Sequence, residues 1–414
     1  MKKSITTRTV RAGIESDRQH GAVIPPLYLA ANYAFAGFGK KRRYDYSRTA
    51  NPTRDLLGDA LADLEGGAGA VVTATGMAAV GLVLRLVRPG ELVIAPHDCY
   101  GGTYRLLDAL HQRGEISVAF VDQRDEAALA AAFAQRPRLV WIETPSNPLL
   151  RIADIAALCA RAHAVSALAV VDNTFLSPLG QQPIGLGADL VVHSTTKYLN
   201  GHSDVVGGAV IAADAALRDE LAWWANATGV TGAPFDAWLT LRGLRTLQAR
   251  WRLHEQNAAC IAELLAAHPA VARVHFPGLA SHPGHELAAR QQLSFGAMLS
   301  FELEGGVPAV ERFLGSLSCF SLAESLGGVE SLVAHPATMT HAAMDARARA
   351  RAGIGDGLLR LSVGIEAIED LGSDLALALV GLSQENADFP QSPGSGANVM
   401  KLPGGRPDPS GAMA

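Results

Sequence analysis

The sequence predicts a two-lobed α/β protein: a large lobe around a mostly parallel seven-stranded sheet, followed by a smaller C-terminal α+β lobe. Three observations carry this. A chain of 414 residues is too long for one ordinary core and long enough for two. Seven short apolar, β-rich runs alternate with helical patterns between residues 70 and 212. Beyond them a long Ala- and Leu-rich helical stretch, roughly 245–267, leads into a second region with fewer strands.

Taken in order, the first segment, 1–60, carries Pro25-Pro26 and Asn51-Pro52 and reads as an extended arm of the kind that reaches a neighbouring subunit. Its opening runs into polar and charged residues through Asp17, without the apolar core of a secretory signal, so export is not expected. The large lobe, 61–247, holds the runs 70–73, 91–95, 116–120, 139–142, 168–171, 190–193 and 208–211. These are apolar at successive positions, the pattern of strands covered by helices on both faces. The uncharged stretch 66–84 reaches membrane-spanning length, yet Gly66, Gly67, Gly69, Thr73, Thr75 and Gly76 punctuate it as strand, turn and helix. The C-terminal lobe, 248–385, has strands expected near 271–275, 297–302 and 358–363. The Pro- and Gly-rich tail 386–414 is not expected to order on its own.

Composition narrows the function. Thirty-five basic against 40 acidic residues give a net charge of −5, and charged residues are 18% of the chain, which implies neither a nucleic-acid footprint nor a polybasic membrane patch. The four cysteines lie far apart, with no C-x-x-C pair and no dense disulfide framework, which fits a reducing cytoplasm.

In open α/β sheets ligands bind beyond the carboxyl ends of the strands. Polar residues gather there: Thr75-Gly76-Met77, Asp98-Cys99-Tyr100, Glu143 through Asn147, Asp172-Asn173-Thr174 and Ser194 through Lys197. Singly, Lys197 reads as a solvated surface group and Asp172 as a turn or cap residue. Together with a phosphate-suited turn at Gly76 and an aromatic at Tyr100, they form the equipment that pyridoxal phosphate requires. That cofactor needs an amine to attach to, an anion for its ring nitrogen, an aromatic face, and N–H and hydroxyl donors for its phosphate.

At this point the sequence resembles the fold-type I, Cys/Met-metabolism family of pyridoxal phosphate enzymes. The motifs that carry the resemblance are Tyr44-Asp45-Tyr46-Ser47-Arg48, Leu64-Glu65-Gly66-Gly67, Thr75-Gly76-Met77, Pro96 through Gly102, Pro145-Ser146-Asn147-Pro148, Val171 through Phe175, Thr196 through Asp204, and Ala323 through Gly328. The resemblance implies an aminotransferase-like fold and a role for each matching position. Lys197 matches the lysine that carries the cofactor and later moves protons; Asp172 would pair with the ring nitrogen, and Tyr100 would stack on the ring. Gly76 and Met77 N–H groups with Ser194 and Thr196 hydroxyls would hold the phosphate. Tyr46 and Arg48 would reach it from another subunit, which implies at least a dimer, and the family suggests a homotetramer. Arg360, in an apolar run, is either half of a structural salt bridge or, by resemblance, the fork that grips the substrate α-carboxylate with Asn147.

Family members perform γ-replacement, γ-elimination or β-elimination on one core. Glu324 and Ser325, in Ala323-Glu324-Ser325-Leu326, resemble the γ-acting branch, since β-lyases carry an aromatic-Ser-Trp sequence there. Asp45 and the Trp223-Trp224 region lean toward replacement, although the tryptophans also suit plain helix packing. The resemblance therefore implies that small amino-acid substrates are used: O-succinyl-L-homoserine and L-cysteine give L-cystathionine and succinate. γ-Elimination of cystathionine and sulfhydrylation of an O-acylhomoserine are the alternatives. Arg105 and Arg48 are candidates for the acyl group's terminal carboxylate, with an interface or phosphate role preferred for Arg48. A regulatory module built on the same fold would often lack the lysine, which this chain retains. No metal is expected: His282-Pro283-Gly284-His285 completes no recognised ligand spacing, and Cys99 reads as an inert packed residue.

Overall fold

A computed structural model describes residues 3–342 and 346–385; the tail expected to stay unordered, 386–414, lies outside the described residues. The seven runs form seven strands: β1 (Gly69–Thr73), β2 (Leu92–Pro96), β3 (Ser117–Val121), β4 (Leu139–Glu143), β5 (Leu168–Asp172), β6 (Leu190–His193) and β7 (Gly208–Ala212). They order as β1-β7-β6-β5-β4-β2-β3, all parallel except β7, which runs antiparallel to both neighbours. The fold is the mostly parallel α/β architecture that the sequence predicts.

The absence of alternation in these runs has a direct cause. Side chains of successive strand residues point to opposite faces, and both faces here are cores. In β5 and β6, Val170, Leu190 and Val192 enter one apolar cluster while Ala169, Val171 and Val191 enter the other. Every residue of β4 is buried, whereas β3, at the sheet edge, is half-buried throughout. Helix Pro52–Glu65 starts where Asn51 Oδ1 accepts the Thr53 and Arg54 N–H groups, with Pro52 at the first position where a missing N–H costs nothing. Between helix Ile5–Val10 and Pro52 the chain forms only isolated bridges, and Leu29, Phe35 and Phe38 stand exposed.

Helix Leu247–Ala266 leads to a second sheet made of β8 (Val271–His275), β9 (Met298–Leu303), β10 (Ser321–Leu322), β11 (Leu332–Ala334) and β12 (Leu358–Ser362), ordered β10-β11-β12-β9-β8. Strands β10 and β11 were not foreseen, because pieces of two and three residues carry no readable periodicity. Among the described residues no helix is long and apolar enough to cross a membrane.

Candidate functional site

A cavity of about 630 Å³ opens at the carboxyl ends of the parallel strands and is closed from the other side by Arg360 of β12 and by the loops that follow β10 and β11. Gly76, Met77, Tyr100, Arg105, Asn147, Asp172, Ser194, Thr196, Lys197, Glu324, Ser325 and Arg360 all line it. The chain thus brings together residues up to 284 positions apart, Gly76 to Arg360. Tyr46 and Arg48 line a separate cavity of about 370 Å³, and Asp45 stays on the arm in a 2.8 Å ion pair with Lys41. Arg48 donates to the Asn226 carbonyl and side-chain oxygens at 2.6 and 2.8 Å.

The floor is built from strand ends. Asp172 closes β5 and is half-buried at the cavity floor; desolvation pushes its carboxyl up, opposed by hydrogen bonds from Thr174, whose N–H donates at 3.0 Å, and by nearby His193. Glu143 closes β4 directly opposite Asp172 in register. Its Oε2 accepts the Tyr100 N–H at 2.8 Å, and burial followed by the neighbouring Asp172 charge pushes its carboxyl well above the usual range. Tyr100 precedes helix Gly101–Gln112, and its ring is partly open to the cavity; burial and then Glu324 push its phenol up, so it stays neutral.

Two backbone features prepare one wall. Helix Gly76–Val83 begins at Thr75, whose side chain accepts the Ala78 N–H, so the first helical N–H groups, on Gly76 and Met77, have no intrahelical acceptor. Glycine is required at 76 by close approach: a Cβ there would meet Ser194 Cβ at 2.8 Å and its Oγ at 3.0 Å. The Thr196 hydroxyl accepts the Gly207 N–H at 3.0 Å.

Lys197 lies in the turn after β6, and its Nζ donates to Ser325 Oγ at 2.6 Å. Burial, then the positive charge of Arg360, pulls its pKa from 10.5 to about 8, with Glu324 opposing. Ser325 presents its hydroxyl from a left-handed backbone, φ 91°, unusual for a residue with a Cβ. Arg360, in the middle of β12, is buried; it donates to Asn147 Oδ1 at 3.0 Å and to the Ser325 carbonyl at 2.9 Å, while its Nε has no partner. Among the described residues no carboxylate forms an ion pair with it, and burial pulls its pKa from 12.5 to about 10. Among the described residues its hydrogen-bond acceptors are neutral oxygens, with the Glu324 charge acting from further off, so this buried guanidinium can pair with an anionic ligand.

Residues that fit pyridoxal phosphate therefore face one another: a desolvated amine, a half-buried carboxyl, an aromatic face and a cradle that a Cβ would fill. The sequence reading missed Glu143 as a site residue, having noted it only among strand-end polar residues, and missed Met339, Thr340 and Ala342, which line the mouth from a loop with no motif of its own. The histidine pair has a structural explanation: His282 Nδ1 accepts the Gly284 N–H at 3.0 Å and His285 Nδ1 donates to the Pro277 carbonyl at 2.8 Å. Among the described residues no group of three or more metal-binding side chains occurs.

Comparison with known proteins identifies the family. Residues 6–380 match the family described as Cys/Met metabolism PLP-dependent enzyme. The chain is 58% identical to cystathionine gamma-synthase of Escherichia coli K12 over 376 residues, 91% of this chain and 97% of the relative. A crystal structure of cystathionine gamma synthase from Xanthomonas oryzae in complex with cystathionine superposes with a TM-score of 0.92 at 61% identity, covering 94% of this chain and 100% of that one. Cystathionine beta-lyase of Lactococcus lactis IL1403 is 48% identical over 376 residues, 91% of this chain and 99% of the relative. The chain belongs to the Cys/Met-metabolism family of pyridoxal phosphate-dependent enzymes.

Proposed function

We propose that the chain catalyses γ-replacement, in which O-succinyl-L-homoserine and L-cysteine give L-cystathionine and succinate. The observation that carries this reading is the placing, across one cavity, of the Lys197 amine and an Arg360 fork that forms no ion pair among the described residues, with Glu324 in the same lining. When bound, pyridoxal phosphate supplies an electron sink for the negative charge that develops at the substrate Cα.

The chain's own residues do the rest. Arg360 and Asn147 grip the α-carboxylate, which provides the missing anion and fixes Cα beside Lys197. Lys197, brought close to neutral pH by burial, is the base that carries protons at Cα and then Cβ, and Ser325 holds its amine in line. The Cγ–O bond breaks and succinate leaves with the electron pair; the cysteine thiol gives its proton up to solvent, its sulfur forms the Cγ–S bond, and Lys197 returns the protons taken from Cβ and Cα. Asp172 would pair with the ring nitrogen, a cation that would offset the desolvation acting on this carboxylate. Tyr100, whose N–H is held by Glu143, would stack on the ring. Gly76 and Met77 N–H groups with the Ser194 and Thr196 hydroxyls hold the phosphate; Arg105, at the cavity wall, receives the succinyl terminal carboxylate, and Asp45 contributes to substrate binding.

Tyr46 and Arg48, lining a different cavity of their own chain, reach the phosphate of a neighbouring copy. The exposed apolar residues of the arm support a homotetramer built from dimers that share sites. The same reading divides the chain into arm 1–60, cofactor lobe 61–247 and C-terminal lobe 248–385, and places it in the cytoplasm, in keeping with four free cysteines. The Lactococcus relative's name favours a second reading, elimination without an incoming thiol. Incubating the holoenzyme with O-succinyl-L-homoserine, with and without L-cysteine, and separately with cystathionine decides between them. Cystathionine formed at a rate above its breakdown is expected; ready cleavage of cystathionine with no synthesis would overturn the replacement reading.

A further inference from the structure

The loop 335–342, following β11, turns over the cavity mouth. It holds its own shape: the Met339 N–H donates to the His335 carbonyl at 3.0 Å and the His341 N–H to the Pro336 carbonyl at 2.9 Å. Its Thr340 carbonyl packs so closely on the start of helix Gly101–Gln112 that a Cβ at Gly101 would meet it at 2.7 Å. Met339, Thr340 and Ala342 face the cavity, while the His341 side chain is fully buried beside them.

His341 Nε2 lies 3.1 Å from the Asn147 carbonyl oxygen. A carbonyl only accepts, so this nitrogen carries the hydrogen, and Nδ1 of the neutral ring accepts the Thr340 hydroxyl at 2.8 Å. Burial, then the Arg360 charge, pushes the ring pKa down to about 4, so one donor and one acceptor persist at neutral pH. Asn147 meanwhile accepts Arg360 Nη1 on its side chain at 3.0 Å. One asparagine thus takes a hydrogen bond from the mouth loop on its backbone and from the guanidinium on its side chain.

We propose that His341 is a positioning residue that locks the mouth loop to the Arg360–Asn147 fork, so that amino-acid substrates meet an assembled carboxylate site. The inference rests on the carboxylate-binding reading of Arg360 and is independent of the reaction that follows. The test compares His341→Phe, which fills the space without hydrogen bonds, with His341→Gln, whose Nε2 can still donate to the Asn147 carbonyl. Each holoenzyme is titrated with L-alanine through the visible cofactor band, and KM and kcat are measured with O-succinyl-L-homoserine and L-cysteine.

His341→Phe is expected to weaken L-alanine binding and raise KM about tenfold, equivalent to about 1.4 kcal/mol, with kcat within about threefold and the band unchanged. His341→Gln is expected to restore both constants to within about twofold of the parent. Unchanged L-alanine binding and KM in His341→Phe, or equal losses in both variants accompanied by a diminished cofactor band, would overturn the proposal. A parent holoenzyme that binds no α-amino acid would overturn the underlying carboxylate reading instead, and the His341 inference with it.

Discussion

Replacing Arg360 with methionine separates the two roles that the sequence leaves open for it. If Arg360 were half of a buried salt bridge, its removal would strand the partner charge and cost about 3–5 kcal/mol of stability. The structure gives a different balance. Burial lowers the guanidinium pKa from 12.5 to about 10, and at about 1.4 kcal/mol per tenfold change in proton affinity this is a penalty of about 3 kcal/mol in the ligand-free fold. Methionine removes that penalty and gives up two hydrogen bonds, to Asn147 Oδ1 and the Ser325 carbonyl, worth about 1.5–3 kcal/mol each when the donor is charged. Arg360→Met should therefore leave the unfolding free energy of the cofactor-free protein within about 3 kcal/mol of the parent. It should still lower kcat/KM about 100- to 1,000-fold, as loss of a buried carboxylate clamp does. Urea unfolding and steady-state kinetics read both quantities. Destabilisation beyond about 3 kcal/mol with kcat/KM nearly intact would refute the reasoning and make Arg360 structural.

Three further outcomes follow from the site. Ser325→Ala keeps the left-handed backbone and loses the hydroxyl that holds Lys197, so kcat/KM should fall about 10- to 100-fold, whereas Ser325→Gly should lose the same activity yet unfold about 1 kcal/mol less readily than the alanine variant. In the cofactor-free protein the Lys197 pKa of about 8 lies below its ordinary 10.5, so between these values the unfolded chain binds more protons and stability rises with pH; Lys197→Met should flatten that rise in unfolding measured from pH 8 to 10.5. Lys197→Ala and Arg48→Ala proteins, each nearly inactive, should on mixing and reassembly regain about a quarter of parental turnover if sites are shared between copies, because hybrid dimers carry one intact site.

The sequence made the large sheet legible because both its faces are buried, so apolar residues run without interruption through strands such as β4 and β5. It did not reveal that β7 runs antiparallel, since apolar runs encode burial and not direction. The Lys197–Asp172–Tyr100 arrangement was readable because cofactor chemistry restricts the residue types at adjacent strand ends. Glu143 was harder to recognise: its contribution is a hydrogen bond to the Tyr100 backbone, and backbone contacts leave no trace in residue identity. The same holds for His341, a lone histidine whose partner carbonyl lies 194 positions away. Ser325 was named from its motif, but its positive φ and its grip on Lys197 emerge only when β12 and the large sheet are folded together.

The central claim is that Lys197 carries the cofactor, and reductive trapping measures it most directly. Borohydride treatment of the holoenzyme followed by peptide mass mapping should place a reduced pyridoxyl group on the peptide containing Lys197 and abolish the visible absorbance. A label on any other residue, or no label on a protein that retains its cofactor, would contradict the account.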